Sequence, residues 1–305
     1  MIMKKNICLI IAGILINSAY AQTALYEWKV TLKVVDERGQ QVAGAKASVG
    51  YYSHSVPASI DGLTDTNGVF TASHSAHSGI LGFTAVKAGY YTTREPSYDL
   101  GFTYDPVKWN PTQTIVLKII GQPIPMYAGY VEDGPPVFNE PVGYDLMIGD
   151  WVAPHGKGQA ADIIFTGELD QKAKNDFDYK LIVSFPKQGD GIQKFDLSSA
   201  DKASELHSSH EAPVDGYQQQ VVRTMSRHPG SGTKEDMNDS KSNYFFRVHT
   251  VLDENGNVKS TLYGKIYGDF MQFHYYLNPT QNSRNVEFKQ NLIKSLKPIE
   301  GVSEP

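Results

Sequence analysis

Cysteine is almost missing from this chain: Cys8 alone, among 305 residues. It lies in a short apolar run near the N-terminus. The rest of the chain therefore offers no disulfide, no thiolate metal ligand and no cysteine nucleophile. Long apolar runs are missing too. The longest, Ile7 to Ile16, is broken only by Gly13 and falls well short of the roughly 20 residues that span a bilayer. Basic clusters are scarce. There are 28 Lys and Arg against 33 Asp and Glu, with no dense run, which argues against nucleic acid as a partner. There is no G-x-S-x-G elbow for a nucleophilic serine and no H-E-x-x-H zinc motif. No long stretch carries an apolar period of 3.6 residues, so extensive helix is not expected.

The N-terminus has the three parts of a secretory leader. Lys4 and Lys5 precede the apolar run, and Ala19-Tyr20-Ala21 ends it with small residues. Cleavage after Ala21 is expected. It would leave 284 residues. Removing the two leader lysines leaves 26 basic residues against 33 acidic ones, a formal charge of −7. Gln22 follows the expected cut, where a lipoprotein would need cysteine. The expectation is a soluble protein of the periplasm or the medium, held by its core rather than by disulfides.

What remains reads as all-β. Tyr and Phe are abundant, at 18 and 13 residues, and suit pleated surfaces. Turn signals recur about every ten residues. Trp28, Val30, Leu32 and Val34 alternate with Lys29, Thr31 and Lys33, a strand with one buried face. Strands are also expected at Ala47–Tyr52, Val69–Ala72, Ile80–Lys87 and Thr114–Ile120. The turns between them carry Asp36-Glu37-Arg38-Gly39 and Asp65-Thr66-Asn67-Gly68, in which Asp or Asn bonds its own backbone and Gly takes positive φ.

Four segments occur in order: Val34 to Gly39, Val42 to Ala47, Thr64 to Phe70, and Val86-Lys87-Ala88-Gly89-Tyr90. Together they resemble a carboxypeptidase regulatory-like domain, a transthyretin-like β-sandwich, over about a third of the chain. The resemblance implies a fold and an accessory role without catalytic residues. The stretch from Tyr90 to Gln113 is longer and more aromatic than that pattern requires, with Tyr91, Tyr98, Phe102, Tyr104 and Trp109.

The expected organisation is a leader at 1–21, a first sandwich at 26–120, a proline-rich linker at 121–141 and a second sandwich or jelly roll at 142–305. Pro123, Pro125, Pro135, Pro136 and Pro141 would stiffen the linker. In the second unit, strands are expected at Ala161–Thr166, Tyr179–Phe185, Gln218–Met225 and Asp269–Leu277. Tyr244–Val251 and Val258–Tyr263 should form a hairpin, and Leu197 to Glu211 has room for one short helix. Tyr144 to Phe165 and Tyr275 to Phe288 resemble uncharacterised exported bacterial proteins that carry the regulatory-like domain in front. That resemblance implies no mechanism.

Chemistry-bearing candidates are few. His74/His77 and His207/His210 are each three apart, an incomplete ligand set that reads as surface histidines. Asp61, Asp65 and Asn67, and Asp253, Asn255 and Asn257, lack the full calcium-loop pattern and read as turns. Asp145, Asp150, Asp162 and Glu168 are dense, but strand spacing alone does not show any two facing each other. The segment Asp269 to Leu277 is more suggestive. Alternation would put Phe270, Gln272, His274 and Tyr276 on one face and Met271, Phe273 and Tyr275 on the other. If only one face is core, the other displays rings beside hydrogen-bonding groups, which suits sugar or peptide surfaces; if both faces are buried between sheets, the rings are simply part of a large β core.

The leading expectation is a non-catalytic binding or accessory protein of the envelope. It needs no cofactor or metal, and its ligand would be a glycan or an envelope protein. The residues expected at the ligand are Asp150, Trp151, His155, Gln272, His274 and Tyr276. The alternative is a secreted hydrolase using Asp145, Asp150, Trp151, His155 and His274.

Overall fold

The computed structural model describes residues 25–52, 58–235, 242–294 and 302. The leader-like segment lies outside them. The chain is all-β, as expected, with mainly antiparallel sheets packed as sandwiches; the strands Tyr26–Asp36 and Thr112–Leu117 pair parallel. The strands are β1 (Tyr26–Asp36), β2 (Lys46–Tyr52), β3 (Ala58–Leu63), β4 (Val69–Ala76), β5 (Ile80–Val86), β6 (Thr93–Asp99), β7 (Thr112–Leu117), β8 (Ile124–Val131), β9 (Pro141–Asp145), β10 (Asp150–Trp151), β11 (Ile163–Ala173), β12 (Asp176–Ser184), β13 (Gly191–Phe195), β14 (Gln220–Arg227), β15 (Lys234–Glu235), β16 (Asn243–Leu252), β17 (Val258–Gly268), β18 (Phe273–Leu277) and β19 (Phe288–Asn291). One short helix, α1 (Ser199–Ala203), falls inside the polar segment that had room for it.

The first sandwich packs sheet β4-β1-β7 on sheet β3-β2-β5-β6. Alternation in β1 decides the packing. Trp28, Val30, Leu32 and Val34 are fully buried, while Lys29 and Lys33 are exposed. Trp109, from the long aromatic insertion, joins the same core. Full burial of side chains this large is worth roughly 2–3 kcal/mol each. The turns use the chemistry read from the sequence. Asp36 Oδ1 accepts the amides of Arg38 and Gln40 at 2.9 and 2.8 Å. Asp65 Oδ1 accepts those of Asn67 and Val69 at 2.8 and 2.9 Å. Gly68, at φ +70°, lies so close to β1 that a Cβ would sit 2.5 Å from the Val34 carbonyl oxygen.

The second sandwich packs sheet β10-β9-β11-β12-β14-β15 on sheet β13-β16-β17-β18-β8-β19. Its core is aromatic, with Tyr144, Phe165, Tyr244, Phe246, Phe270, Phe273 and Tyr275 all buried. Many rings meet edge to face, the geometry that the ring quadrupole favours.

Two segments depart from expectation. The stretch at 121–141 is not simply a connector, because its middle is β8. That strand pairs antiparallel with β18 and parallel with β19. The prolines do not prevent this. Pro123 precedes the strand, and Pro125, which has no N–H for a ladder, lies beside a register irregularity in β19.

The second departure is Asp269 to Leu277, only the latter part of which is strand. Asp269 Oδ1 accepts the amides of Met271 and Gln272 at 3.0 and 3.3 Å, and Phe270 adopts φ +70°. This turn resets the alternation, so Phe270 and Phe273 both point into the main core. The opposite face of β18 is covered as well. Tyr276 packs with Met126, Ala128 and Phe288 and is 2% exposed. Both faces of β18 are therefore covered, the second of the two readings of this segment, and no open aromatic face is left.

Candidate functional site

Three of the six expected ligand residues lie together, at the β9–β10 end of the second sandwich. The hairpin there is organised by Asp145. This buried carboxylate accepts the amides of Met147 and Ile148 on Oδ1, both at 3.0 Å, and those of Gln159 and Ala160 on Oδ2, at 2.9 and 3.1 Å. Gly149, at φ +75°, closes the turn. Asp150 repeats the device. Its Oδ1 accepts the Trp151 amide at 2.8 Å and its Oδ2 the Lys157 amide at 2.9 Å. Gly156 is pressed so tightly against Asp150 that a Cβ there would lie 2.4 Å from Oδ1. The loop 150–158 is thus wound around one carboxylate, which holds Trp151 and His155 toward a common space.

That space is a cleft of about 450 Å³ lined by Tyr130, Glu132, Asp133, Asp150, Trp151 and His155, with Tyr144 at its inner end. Trp151 is half-buried and fixed edge-on against Tyr144 at 5.0 Å and Phe165 at 5.2 Å. Tyr130 reaches the cleft from β8. It stacks on His274, its cross-strand partner, at 4.6 Å between ring centres. The outer wall carries the exposed carboxylates of Glu132 and Asp133.

The other three expected residues are placed differently. His274 contacts Tyr130 rather than lining the cleft. Gln272 is exposed in the turn before β18, and Tyr276 is buried. The sequence reading missed Tyr130, Glu132 and Asp133 because they belong to the segment taken for a linker. The signal was present: Met126-Tyr127-Ala128-Gly129-Tyr130-Val131 is an apolar run of strand length between prolines.

The remaining acidic and histidine candidates have structural partners. Asp162 is buried and accepts the Leu146 amide at 2.9 Å. It also pairs with His249 at 2.6 Å, and this hydrogen bond raises the imidazole's pKa against an opposing effect of burial. Glu168 pairs with Lys180 on the surface. Asp253 accepts the amides of Asn255 and Asn257, and these bonds hold its carboxyl below the usual range. His74 packs against Trp28 and Tyr51. His207 packs against Tyr267, while His210 bonds Glu287 and Glu37. Among the described residues no group of three or more His, Cys, Asp or Glu gathers as a metal site. Among them, too, no helix is long and apolar enough to cross a membrane.

No family model and no curated protein matches the chain. Among solved structures it is similar to a streptococcal ancillary pilin (13% identity, TM-score 0.25), with 87% of this chain and 62% of the pilin covered. It is also similar to a DUF3823 family protein from Parabacteroides merdae (10% identity, TM-score 0.22, 86% and 98% covered) and to the major pilin subunit of Bacillus cereus (11% identity, TM-score 0.25, 87% and 99% covered). The chain thus spans less than two thirds of the ancillary pilin's length.

Proposed function

We propose that this chain is an exported, non-catalytic binding protein of the cell envelope, with a support module in front and a glycan-binding cleft in the second sandwich. The observation that carries the reading is the cleft formed by Tyr130, Asp150, Trp151 and His155. Indole and phenol rings offer flat apolar faces, and the imidazole and nearby carboxylates offer polar edges. That combination complements a sugar ring, with its apolar face and polar rim. The alternative, hydrolysis, needs a free acid or base aimed at the substrate. Asp145 and Asp150 are poor candidates, because each spends both oxygens on backbone amides that hold the loop. The front sandwich fits the accessory role implied by the regulatory-like resemblance.

The test is a binding screen of the purified protein against soluble oligosaccharides, with Trp151→Ala in parallel. Saturable binding lost in the variant supports the reading. Turnover of any polysaccharide or peptide by the purified protein overturns its non-catalytic part. A screen in which wild type and variant are equally inert overturns the glycan assignment.

A further inference from the structure

The cleft beside β10 is one-sided in charge. Its lining holds three carboxylates, Glu132, Asp133 and Asp150, and no lysine or arginine. Lys157 belongs to the same loop as Asp150 and donates its backbone amide to that carboxylate, but it does not line the cleft. None of the three acids forms an ion pair among the described residues. The bonds that Asp150 accepts come from backbone amides, which are neutral donors, so no cation balances its charge. A further buried carboxylate, Asp145, adjoins Tyr144 at the inner end, and it too accepts only amides.

The acidic wall is fixed in place. Glu132 and Asp133 follow β8 directly, and Pro135 just beyond them is buried. Between them Gly134 packs so closely on Met271 that a Cβ would lie 2.9 Å from Sδ. The turn that bears the two acids is thereby pinned against the turn before β18. The rings of the cleft are held as well, Trp151 against Tyr144 and Phe165, and Tyr130 against His274. Ring faces attract cations through their quadrupole, and indole does so most strongly. Unbalanced carboxylates and aromatic rings are independent features, and both favour a positive ligand. A uronate or a phosphorylated sugar would meet repulsion there. A neutral sugar would stack on the rings but leave the acids without a partner.

We infer that the cleft selects a glycan bearing free amino groups, of the glucosamine type, over neutral, N-acetylated or acidic glycans. This rests on the glycan reading of the cleft and adds the ligand's charge to it. The sugar ring packs on Trp151, and its ammonium lies among Glu132, Asp133 and Asp150.

The test is calorimetric titration of the purified chain at about pH 6, where carboxylates of ordinary pKa are ionised. The probes are a short glucosamine oligomer with free amines, the same oligomer N-acetylated, an oligogalacturonate, and an oligolysine with the same number of amines. The free-amine oligomer should bind about tenfold more tightly than its N-acetylated form, as two or three exposed ion pairs and one cation–π contact supply together. The oligogalacturonate should not bind. High salt should erode the preference by screening. Glu132→Gln combined with Asp133→Asn, both at exposed positions, should remove most of the preference and leave affinity for the N-acetylated form unchanged. Trp151→Ala should weaken both forms. Equal affinity for the two forms in wild type, each lost in Trp151→Ala, overturns the amine selectivity and leaves the glycan reading standing. A preference that survives the double variant overturns it as well. Equally tight binding of the oligolysine means that charge alone is recognised, and overturns the sugar assignment. Absence of binding by every oligosaccharide overturns both.

Discussion

Replacing Lys265 with methionine should stabilise the protein. Lys265 lies on β17 with no exposed surface. Its ammonium has one long hydrogen bond, to Ser208 Oγ at 3.4 Å, and two ring faces, Tyr267 at 5.1 Å and Tyr276 at 4.9 Å. Burial, aided by repulsion from Lys118 and only partly offset by Glu287, pushes its pKa down to about 7 from the usual 10.5. A depression that large corresponds to on the order of 5 kcal/mol against the charged amine in the fold. Methionine fills a similar volume without charge. Relaxation around the amine and the loss of two cation–π contacts reduce the benefit, leaving an expected gain of about 1–3 kcal/mol at pH 7. The sign with pH follows from linkage. Between about pH 7 and 10.5 the unfolded chain holds a proton on this lysine that the folded chain does not, so wild-type stability should rise across that window. The variant lacks the rise. Urea unfolding of both proteins at pH 7 and pH 10 therefore should show a large difference at pH 7 that narrows at pH 10. A variant less stable than wild type at pH 7, or a difference independent of pH, would refute the reasoning.

Three further outcomes are expected. Asp145→Ala removes the acceptor for four amides and should cost about 2–4 kcal/mol, read as a lower urea midpoint; a loss below about 0.5 kcal/mol, the range of an ordinary surface change, would contradict its organising role. Asp162→Asn should lower the His249 pKa, followed by NMR titration. Because the folded value is raised, the pairing stabilises below the unfolded value near 6.5 and is lost as pH rises through the folded one, so the variant's stability should fall less with rising pH. Phe273→Ala, in the aromatic core, should cost about 3–5 kcal/mol by the same urea assay.

Fold class was legible because alternation and turn chemistry are local. β1 shows it in Trp28 to Val34, and the Asp65–Gly68 turn shows it again. What stayed hidden depended on non-local geometry. β8 lies among prolines that read as a linker, and its apolar run from Met126 to Val131 does not by itself name its partners β18 and β19. The turn at Asp269 to Gln272 resets a two-residue alternation that otherwise reads straight through from Phe270 to Tyr276, so alternation alone did not decide between a display face and core. The cleft was half legible. Asp150, Trp151 and His155 are close in sequence and stayed together, whereas Tyr130 joins them only through the packing of one sheet on the other. The partners of His210 were not legible at all. His210 stood out by its spacing from His207, yet its partners are Glu37 and Glu287, distant in the chain on either side.

The claim that matters most is that the cleft binds a ligand through Trp151. The chain has three tryptophans. Trp28 and Trp109 are fully buried in the first sandwich, and only Trp151 lines the cleft. Titrating the protein with envelope oligosaccharides while following tryptophan emission isolates that residue. The account predicts a saturable change in emission that disappears in Trp151→Phe, with the Trp28 and Trp109 signal unchanged. Binding detected by calorimetry without any change in Trp151 emission would contradict it.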